Sequence, residues 1–284
     1  MIAVNPRPAS VLKPIIESAF EFAGANPGKP FSNEHRHAIE ETLGLIDRGR
    51  VRVSAPNEDG IWETQVWLKY AILMYFRLQF VEEINAHPFQ WCDKIPIKKW
   101  STDMGVRVVP PATVRYGAFV AKGAVLMPSY VNIGAYVDEG TMIDTWATVG
   151  SCAQVGKNVH VSGGVGIGGV LEPPQASPVI IEDDCFIGSR CIVVEGVHVK
   201  KGAVLGAGVT LTQSTPIIDV RGSTQQKSKG VVPENAVVIP GSYPKTFPSG
   251  EFHVPCALII GTRKESTDRK TSLNQVLREF EIPV

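Results

Sequence analysis

The feature that most constrains this chain is a six-residue repeat of β-branched residues in its central part. Val (35) and Ile (23) make up about one in five of the 284 residues, so a long run at one spacing does not arise by chance. Eight successive positions at a strict interval of six are all Val or Ile: Val125, Val131, Val137, Ile143, Val149, Val155, Val161 and Ile167. A period of six fits neither a helix nor the alternation of an ordinary strand. It predicts a solenoid of very short strands joined by tight corners.

The repeat continues on both sides of this run. Before it, Val108, Val114 and Val120 keep the same period one residue out of phase. After it, the period resumes at Ile181, Ile187, Val193, Val199, Leu205, Leu211 and Ile217. The step from Ile167 to Ile181 is 14 residues, two more than two periods, which predicts a loop through 171–178.

Hexapeptide repeats of this kind resemble those of the left-handed parallel β-helix, in which three hexads make one 18-residue triangular coil. One apolar residue of each hexad points into the prism, and successive coils stack at about 4.8 Å. Left-handed crossovers oppose the general right-handed preference, so the period alone carries this prediction. The predicted fold class is mainly β: a left-handed parallel β-helix with an N-terminal α-helical domain and a C-terminal helix.

Three segments are predicted along the chain. Residues 1–104 form a helical domain, 105–262 form the β-helix with loop insertions near 170–179 and 218–232, and 263–284 form a C-terminal helical segment. The C-terminal helix is indicated by a capping box, with a Ser three residues before a Gln, and by an apolar stripe.

Within the first segment, three apolar stripes at helical spacing predict three helices. They comprise Leu12, Ile15, Ile16, Ala19 and Phe20; Ile39, Leu43 and Ile46; and Trp67, Tyr70, Met74, Leu78 and Val81. Between the second and third stripes, 51–54 and 61–63 flank a turn-rich stretch and predict a short hairpin. Residues 87–100 are interpreted as a linker.

Composition narrows the function classes. Lys plus Arg and Asp plus Glu number 28 each, and this balance argues against a nucleic-acid-binding protein held by bulk charge. No long apolar window or leader pattern is visible, so we expect a cytoplasmic protein with no membrane partner. The five cysteines form no CxxC pair, so neither a disulfide framework nor a zinc ribbon is indicated.

The first candidate for chemistry is Asp144, which follows the inward Ile143 and should project from the prism. One 18-residue coil later comes Ser162, at the start of a glycine-rich run, so the two should lie about 4.8 Å apart along the stack. Missing side chains in that run would expose backbone groups suited to the amides of a pantetheine arm, although tight corners explain the same glycines. The coenzyme-binding candidates are Ser162, Gly163, Gly164, Gly166, Gly168 and, for the phosphates, Lys201.

Two further side chains qualify as polar candidates. Arg107 can form a bidentate pair with a carboxylate, although a lone arginine at a domain edge is usually solvated. His160 stands beside the glycine-rich run and is either a general base or a surface residue.

Four long sequence motifs allow a specific comparison of this chain with known protein families. They stand at 107–111 (RVVPP), 126–136 (LMPSYVNIGAY), 144–154 (DTWATVGSCAQ) and 162–169 (SGGVGIGG). They closely resemble the tetrahydrodipicolinate N-succinyltransferases, a family of hexapeptide-repeat acyltransferases, and the resemblance extends over nearly the whole chain.

The resemblance implies a homotrimer of left-handed β-helices with active sites in clefts between subunits. It implies transfer of succinyl from succinyl-CoA to the amino group of acyclic 2-amino-6-oxopimelate, the open form of tetrahydrodipicolinate, in lysine and diaminopimelate synthesis. Arg107 matches a family arginine that holds a substrate carboxylate, and Asp144 matches a family aspartate at the substrate amine. Succinyl-CoA is then a co-substrate, and we expect no tightly bound cofactor and no metal.

The chain departs from the family pattern at one position. Family members often read ARSEVVEG where this chain reads SRCIVVEG at 189–196, so Ile192 replaces an acidic residue. Glu195 is then the substitute candidate for a second catalytic carboxylate beside Asp144.

Two other functions stay open. One is an N-acetyltransferase of the same class, using acetyl-CoA or a His base. The other is a non-catalytic solenoid scaffold, which predicts no affinity for CoA.

Overall fold

The N-terminal part of the protein is built from three helices. The structure, a computed structural model, describes residues 6–263. The helices are α1 (Ala9–Ala25), α2 (Asn33–Asp47) and α3 (Val66–Leu78). Each corresponds to one predicted stripe, although α3 ends at Leu78 and Val81 lies outside it. Each fully buried Leu or Ile on these stripes contributes roughly 1.5–3 kcal/mol relative to an exposed one. Among residues 6–263, no helix is both long and apolar enough to cross a bilayer.

Two hairpins accompany the helices. The predicted one pairs Ser54–Pro56 with Trp62–Thr64. A second pairs Glu82–Ala86 with Phe89–Asp93, so the interpretation of 87–100 as a linker was wrong at its start. In this hairpin the rings of Phe89 and Trp91 stack on one side, with centroids 5.8 Å apart. This two-residue alternation was hidden by the adjoining Pro88, which resembles a linker signal. A short 3-10 turn, Thr102–Met104, leads into the solenoid.

The solenoid has three faces, each a parallel sheet of two-residue strands. The first face contains Arg107–Val108, Val125–Leu126, Met142–Ile143, His160–Val161, Phe186–Ile187 and Val204–Leu205. The second contains Thr113–Val114, Tyr130–Val131, Thr148–Val149, Gly166–Ile167, Ile192–Val193 and Thr210–Leu211. The third contains Phe119–Val120, Tyr136–Val137, Gln154–Val155, Ile180–Ile181, His198–Val199 and Val231–Val232. Pairs such as Met142 with His160 stand 18 residues apart, as the predicted coil requires.

One register differs from the predicted repeat. Leu126 is fully buried and pairs with both Val108 and Ile143, whereas Val125 is half-buried. Val125 is therefore not an inward residue, and the inward series steps by five residues from Leu126 to Val131. The out-of-phase start of the repeat is thus one continuous series with a single shortened corner. From Val131 to Ile217 every predicted inward residue is at most 2% exposed.

The two predicted insertions behave differently. Residues 168–179 leave the solenoid without forming a strand. The predicted loop at 218–232 instead contains an antiparallel pair, Ile217–Asp219 with Gln226–Ser228. The latter strand is polar and exposed on both faces, so it carries no hydrophobic alternation from which to predict it.

The last described part is a long antiparallel ribbon. It pairs Ala236–Phe247 with Gly250–Thr262 and extends the first face. The two predicted strands, at 236–239 and 256–260, are its buried ends. The C-terminal helix predicted beyond them lies outside the described residues, and the three predicted segment boundaries stay predictions.

Three corners join the faces. We call the turns between the first and second faces the first corner, between the second and third the second corner, and between the third and first the third corner. The helices pack at the second corner, because Ile133 and Cys152 belong to the same apolar cluster as the helix cores. Gly134 there has a φ of 77°, and a Cβ on it would lie 2.7 Å from Ile72 of α3.

Candidate active site

Asp144 lies at the first corner, directly after an inward residue. Its N–H donates to the Val161 carbonyl at 2.9 Å, so it stacks above Ser162 one coil away, as the 18-residue spacing predicts. Its Oδ1 accepts from the N–H of Thr145 at 2.7 Å and from its hydroxyl at 3.2 Å. Among residues 6–263, Oδ2 has no hydrogen-bond partner. The half-buried carboxylate is therefore fixed through one oxygen and open at the other.

Trp146, two residues further on, is the most unusual residue of this corner. It has a φ of 59°, a conformation that a bulky side chain adopts rarely and at a cost. Its side chain is 72% exposed, although its N–H donates to the Pro128 carbonyl at 2.6 Å. An exposed indole in a costly backbone conformation thus stands two residues from the half-open carboxylate of Asp144.

The glycines of the run have a packing role against the next coil. A Cβ on Gly164, Gly166 or Gly168 would lie 2.7–2.8 Å from the side chain of Arg190, Ile192 or Val194 respectively. The side chains of the next coil thus occupy the space that these glycines leave. Sequence reasoning did not single out Arg190. This residue lies at the same corner with a positive φ of 62°, and the aliphatic part of its side chain packs over Gly164.

The backbone donors of the run are mostly committed. The N–H groups of Ser162, Gly164, Gly166 and Gly168 all donate to carbonyls of neighbouring coils. A Cβ on Gly163 would meet only the Thr145 carbonyl, at 3.4 Å, so this position is the open one. Backbone contacts to a ligand in this run are therefore expected at Gly163 and at carbonyl oxygens, and the coenzyme role of the run stays a prediction.

Glu195 lies at the second corner and lines a groove of about 640 Å³. It is exposed, has a φ of 58°, and accepts a hydrogen bond from the Gln213 N–H at 3.2 Å. The opposite wall is the 168–179 insertion. The groove is lined by Gly168, Gly169, Val170, Glu172, Pro173, Ala176, Ser177, Val194, Glu195, Gly196 and Gln213. It combines glycine backbone with two carboxylates.

The remaining predicted residues lie elsewhere on the prism. Arg107 is exposed on the first strand of the first face, and it forms no ion pair within the described part of the chain. His160 lies on the same face, in the strand that pairs with Met142–Ile143. Its ring stacks on that of Phe186, with ring centroids 5.2 Å apart. Lys201 is at the third corner. Within one chain, Asp144, Glu195 and Lys201 thus occupy three different corners.

The third corner holds a polar cluster that sequence reasoning missed. Glu182 Oε1 lies 2.6 Å from His198 Nε2 and accepts from Trp62 Nε1 at 3.0 Å, while Oε2 accepts from the Lys201 N–H. Burial acts to raise the pKa of Glu182, but these hydrogen bonds outweigh it and the net pKa is lowered. Trp62 belongs to the N-terminal hairpin, so the cluster ties that hairpin to the solenoid. The coil spacing brings Glu182 close to His198 and Lys201, 16 and 19 residues further on, but no spacing rule connects Trp62 with them.

Arg52 lies beside the same cluster, with its guanidinium 5.1 Å from the centroid of the Trp62 ring. Its guanidinium stacks over Tyr136 at 3.9 Å from the ring centroid, and its Nε donates to Gln154 at 2.6 Å. Burial lowers its pKa. These contacts link the residue just before the hairpin to the third face.

Two family models match the chain. Residues 11–78 match the N-terminal part of tetrahydrodipicolinate N-succinyltransferase, and 178–213 match the hexapeptide repeat of succinyl-transferase. Relatives named 2,3,4,5-tetrahydropyridine-2,6-dicarboxylate N-succinyltransferase cover far more. The Variovorax paradoxus protein is 49% identical over 94% of this chain and 99% of its own. The Rhodopseudomonas palustris protein is 50% identical over 96% and 100% respectively. The chain belongs to the tetrahydrodipicolinate N-succinyltransferase family.

A solved structure agrees with the fold of this N-succinyltransferase family member. It comes from Campylobacter jejuni and is provisionally assigned as a 2,3,4,5-tetrahydropyridine-2-carboxylate N-succinyltransferase. The TM-score is 0.52 at 18% identity, over 86% of this chain and 65% of that one. At this identity the match supports the architecture, and the relatives above carry the family assignment.

Within this N-succinyltransferase chain, Ile192 and Glu195 are not interchangeable in position. Ile192 is 38% exposed on the second face, where it pairs with Gly166 and Thr210. Glu195 instead lies beyond the strand, at the second corner. A carboxylate at Glu195 therefore points to a different part of the surface from one at position 192.

Proposed function

We propose that this chain transfers the succinyl group of succinyl-CoA to the amine of tetrahydrodipicolinate in its acyclic 2-amino-6-oxopimelate form. The observation that carries the proposal is the similarity to relatives named as N-succinyltransferases. They are 49–50% identical to this chain over 94–96% of its length. The half-open carboxylate of Asp144 supports it independently. The expected setting is lysine and diaminopimelate synthesis in the cytoplasm.

The reaction needs a proton acceptor beside the amine. The substrate ammonium loses a proton, its nitrogen attacks the thioester carbonyl carbon, and a C–N bond forms as the C–S bond breaks. CoA leaves as the thiol, with a proton that the nitrogen releases. Thr145 fixes Asp144 Oδ1 and leaves Oδ2 to accept the first proton. Arg107 would bind a substrate carboxylate through its unpaired guanidinium.

A trimer would supply the second half of the site. The first corner carries Asp144 and the exposed Trp146, and the second corner carries Glu195 and the groove. Packing the first corner of one subunit against the second corner of its neighbour would bring the two carboxylates to one cleft. Trp146 would be buried by that contact, which accounts for its exposure in the single chain. The groove would then take the pantetheine arm of the thioester.

The experiment is a thiol-release assay with tetrahydrodipicolinate and either succinyl-CoA or acetyl-CoA. We expect succinyl-dependent release by the wild type and a fall of about 10²–10⁴-fold in kcat for Asp144→Asn. Glu139→Gln is the matched control, because this exposed carboxylate lies at the third corner in an ion pair with Lys157.

Each result decides between the functions considered. Release with acetyl-CoA alone would move the assignment to an N-acetyltransferase. No release with either donor, together with no CoA binding by calorimetry, would leave a scaffold. Equal losses in Asp144→Asn and Glu139→Gln would remove Asp144 from the chemistry.

A further inference from the structure

Lys69 of α3 is a lysine that the chemistry above does not use. Its side chain is fully buried, and burial lowers its pKa. It lies among the apolar residues of the helix and beside the thiol of Cys152. Burying an ammonium is costly, and an apolar residue of similar volume is often tolerated in its place. The position of Lys69 therefore calls for a specific function.

The single acceptor of Lys69 lies in the groove wall. Its Nζ donates to the Ala176 carbonyl at 2.6 Å. Lys98, the other buried lysine among residues 6–263, donates to three oxygens, namely the Asp47 carboxylate and the carbonyls of Asp47 and Ala118. The Lys98 amine thus donates hydrogen bonds to three acceptors, whereas the Lys69 amine donates to one loop carbonyl.

That carbonyl belongs to a segment with few hydrogen bonds to the rest of the protein, although the Ala176 side chain packs against the core of the solenoid. Within the described part of the chain, the Lys69 bond is the one hydrogen bond that ties residues 172–177 to the rest of the protein. The Ala176 N–H bonds inside the segment, to Pro173. The start of the insertion is anchored separately, by the Val170 N–H on the Ser151 carbonyl.

The segment faces the corner that carries Glu195. A Cβ on Gly196 would lie 2.6 Å from the Ser177 carbonyl, so the segment reaches the residue next to Glu195. Glu172, Ala176 and Ser177 line the 640 Å³ groove together with Glu195. Any displacement of Ala176 therefore changes the width of the groove.

We infer that Lys69 is a positioning residue that holds the 172–177 wall of the groove at the spacing that admits the pantetheine arm of the acyl donor. The inference rests on the proposed function for the identity of the ligand. Lys69 itself touches no reacting atom. It sets the shape of the binding site for the acyl donor by holding the segment 172–177 in place. Helix α3 of the helical domain therefore contributes to that binding site.

The test compares Lys69→Met with Lys98→Met in the full-length protein. For Lys69→Met we expect the KM for succinyl-CoA to rise about tenfold, equivalent to about 1.4 kcal/mol, with a smaller change in kcat and an unchanged KM for the acceptor. Backbone amides at 171–177 should exchange hydrogen faster than in the wild type. Lys98→Met should lower the melting temperature and leave both the donor KM and the exchange at 171–177 unchanged.

Several results would overturn the inference. A folded Lys69→Met protein with wild-type donor KM and wild-type exchange at 171–177 contradicts it, and so does an equal KM rise in Lys98→Met. If Lys69→Met does not fold, Lys69→Gln, which shortens the donor and removes the charge, takes its place with the same expectations. The exchange measurement needs no turnover, so it tests the anchoring even if the wild type transfers no succinyl group.

Discussion

Asp144 and Glu195 lie on different corners of one prism. Asp144 follows a strand of the first face, whereas Glu195 follows a strand of the second. The body of the solenoid, a continuous column of buried Val, Ile and Leu, separates the two corners. In the proposed trimer, the two carboxylates of one site therefore come from neighbouring subunits.

This relationship predicts complementation between two variants. Asp144→Asn and Glu195→Gln subunits should each form trimers with little activity. Co-expressed with different tags, they should form mixed trimers in which about one site in three has both carboxylates intact, because each site draws on two adjacent subunits and a mixed trimer has one such pair in the right order. The specific activity of the purified mixed trimer measures this fraction. Activity no higher than that of either parent would place both residues in one subunit or exclude Glu195.

Trp146 should control assembly. Trp146→Ala removes a side chain that is 72% exposed in the single chain, so the monomer loses little packing. We expect the sedimentation profile to shift from trimer towards monomer at micromolar concentration, since buried aromatic residues dominate many interfaces. Phe252→Ala is a matched control, because this ring is 53% exposed on the ribbon, an element that forms neither corner. An unchanged profile for Trp146→Ala would remove this corner from the interface.

The two glycine variants Gly164→Ala and Gly208→Ala separate backbone strain from packing. Both residues have positive φ, 69° and 76°, so each Ala should cost about 1 kcal/mol of unfolding free energy. A Cβ at 164 also meets the Arg190 stem at 2.7 Å, whereas a Cβ at 208 meets nothing within 4 Å. Urea unfolding should therefore show the larger loss for Gly164→Ala. Equal losses would mean that Arg190 moves aside freely.

The Glu182 cluster predicts a pH-dependent contribution to stability. The folded pKa of Glu182 lies below its ordinary value of 4.5. Its contribution is therefore fully present above pH 4.5 and is lost as the pH falls through the lower folded pKa. Glu182→Gln should lower the melting temperature by roughly 2–4 °C at neutral pH, and the difference from wild type should shrink below pH 4.5. A difference that is the same at pH 3.5 and pH 7 would contradict this assignment.

Lys98 and Asp47 should behave as a coupled pair. Lys98 Nζ lies 2.7 Å from Asp47 Oδ1, and both side chains are largely buried. Removing one partner leaves an uncompensated charge, so Lys98→Met should cost about 3 kcal/mol of unfolding free energy. The double variant Lys98→Met with Asp47→Asn should lose less than the sum of the single variants, which a urea double-mutant cycle measures. Additive losses would show that the two groups are independent.

Much of the fold could be predicted from the periodicity, and the errors have local causes. The six-residue series identified the inward residues from Val131 to Ile217, because a prism core accepts one apolar side chain per hexad. It misplaced Val125, since Val and Leu stand side by side there and either fits the pattern. Only the pairing of Leu126 with Ile143 decides between them. The hairpin at Gln226–Ser228 is polar and exposed, so hydrophobic patterning carries no information about it.

The candidate site was partly predictable for the same reason. The 18-residue coil places Asp144 over Ser162 by arithmetic alone, because parallel in-register strands repeat with the coil. The separation of Asp144, Glu195 and Lys201 onto three corners required the positions of the faces. The contacts of Lys69 with Ala176 and of Trp62 with Glu182 join residues 107 and 120 positions apart.

By itself, the sequence determined the class of fold, the inward residues, the stacking of the first corner and the resemblance that the relatives confirm. These are properties of local period and of motifs that repeat with the coil. The tertiary structure alone decided which corner each polar residue occupies, which buried lysine holds the groove wall, and which hairpin closes the third corner. These depend on how a helical domain docks on a prism, and docking joins side chains that no sequence interval relates.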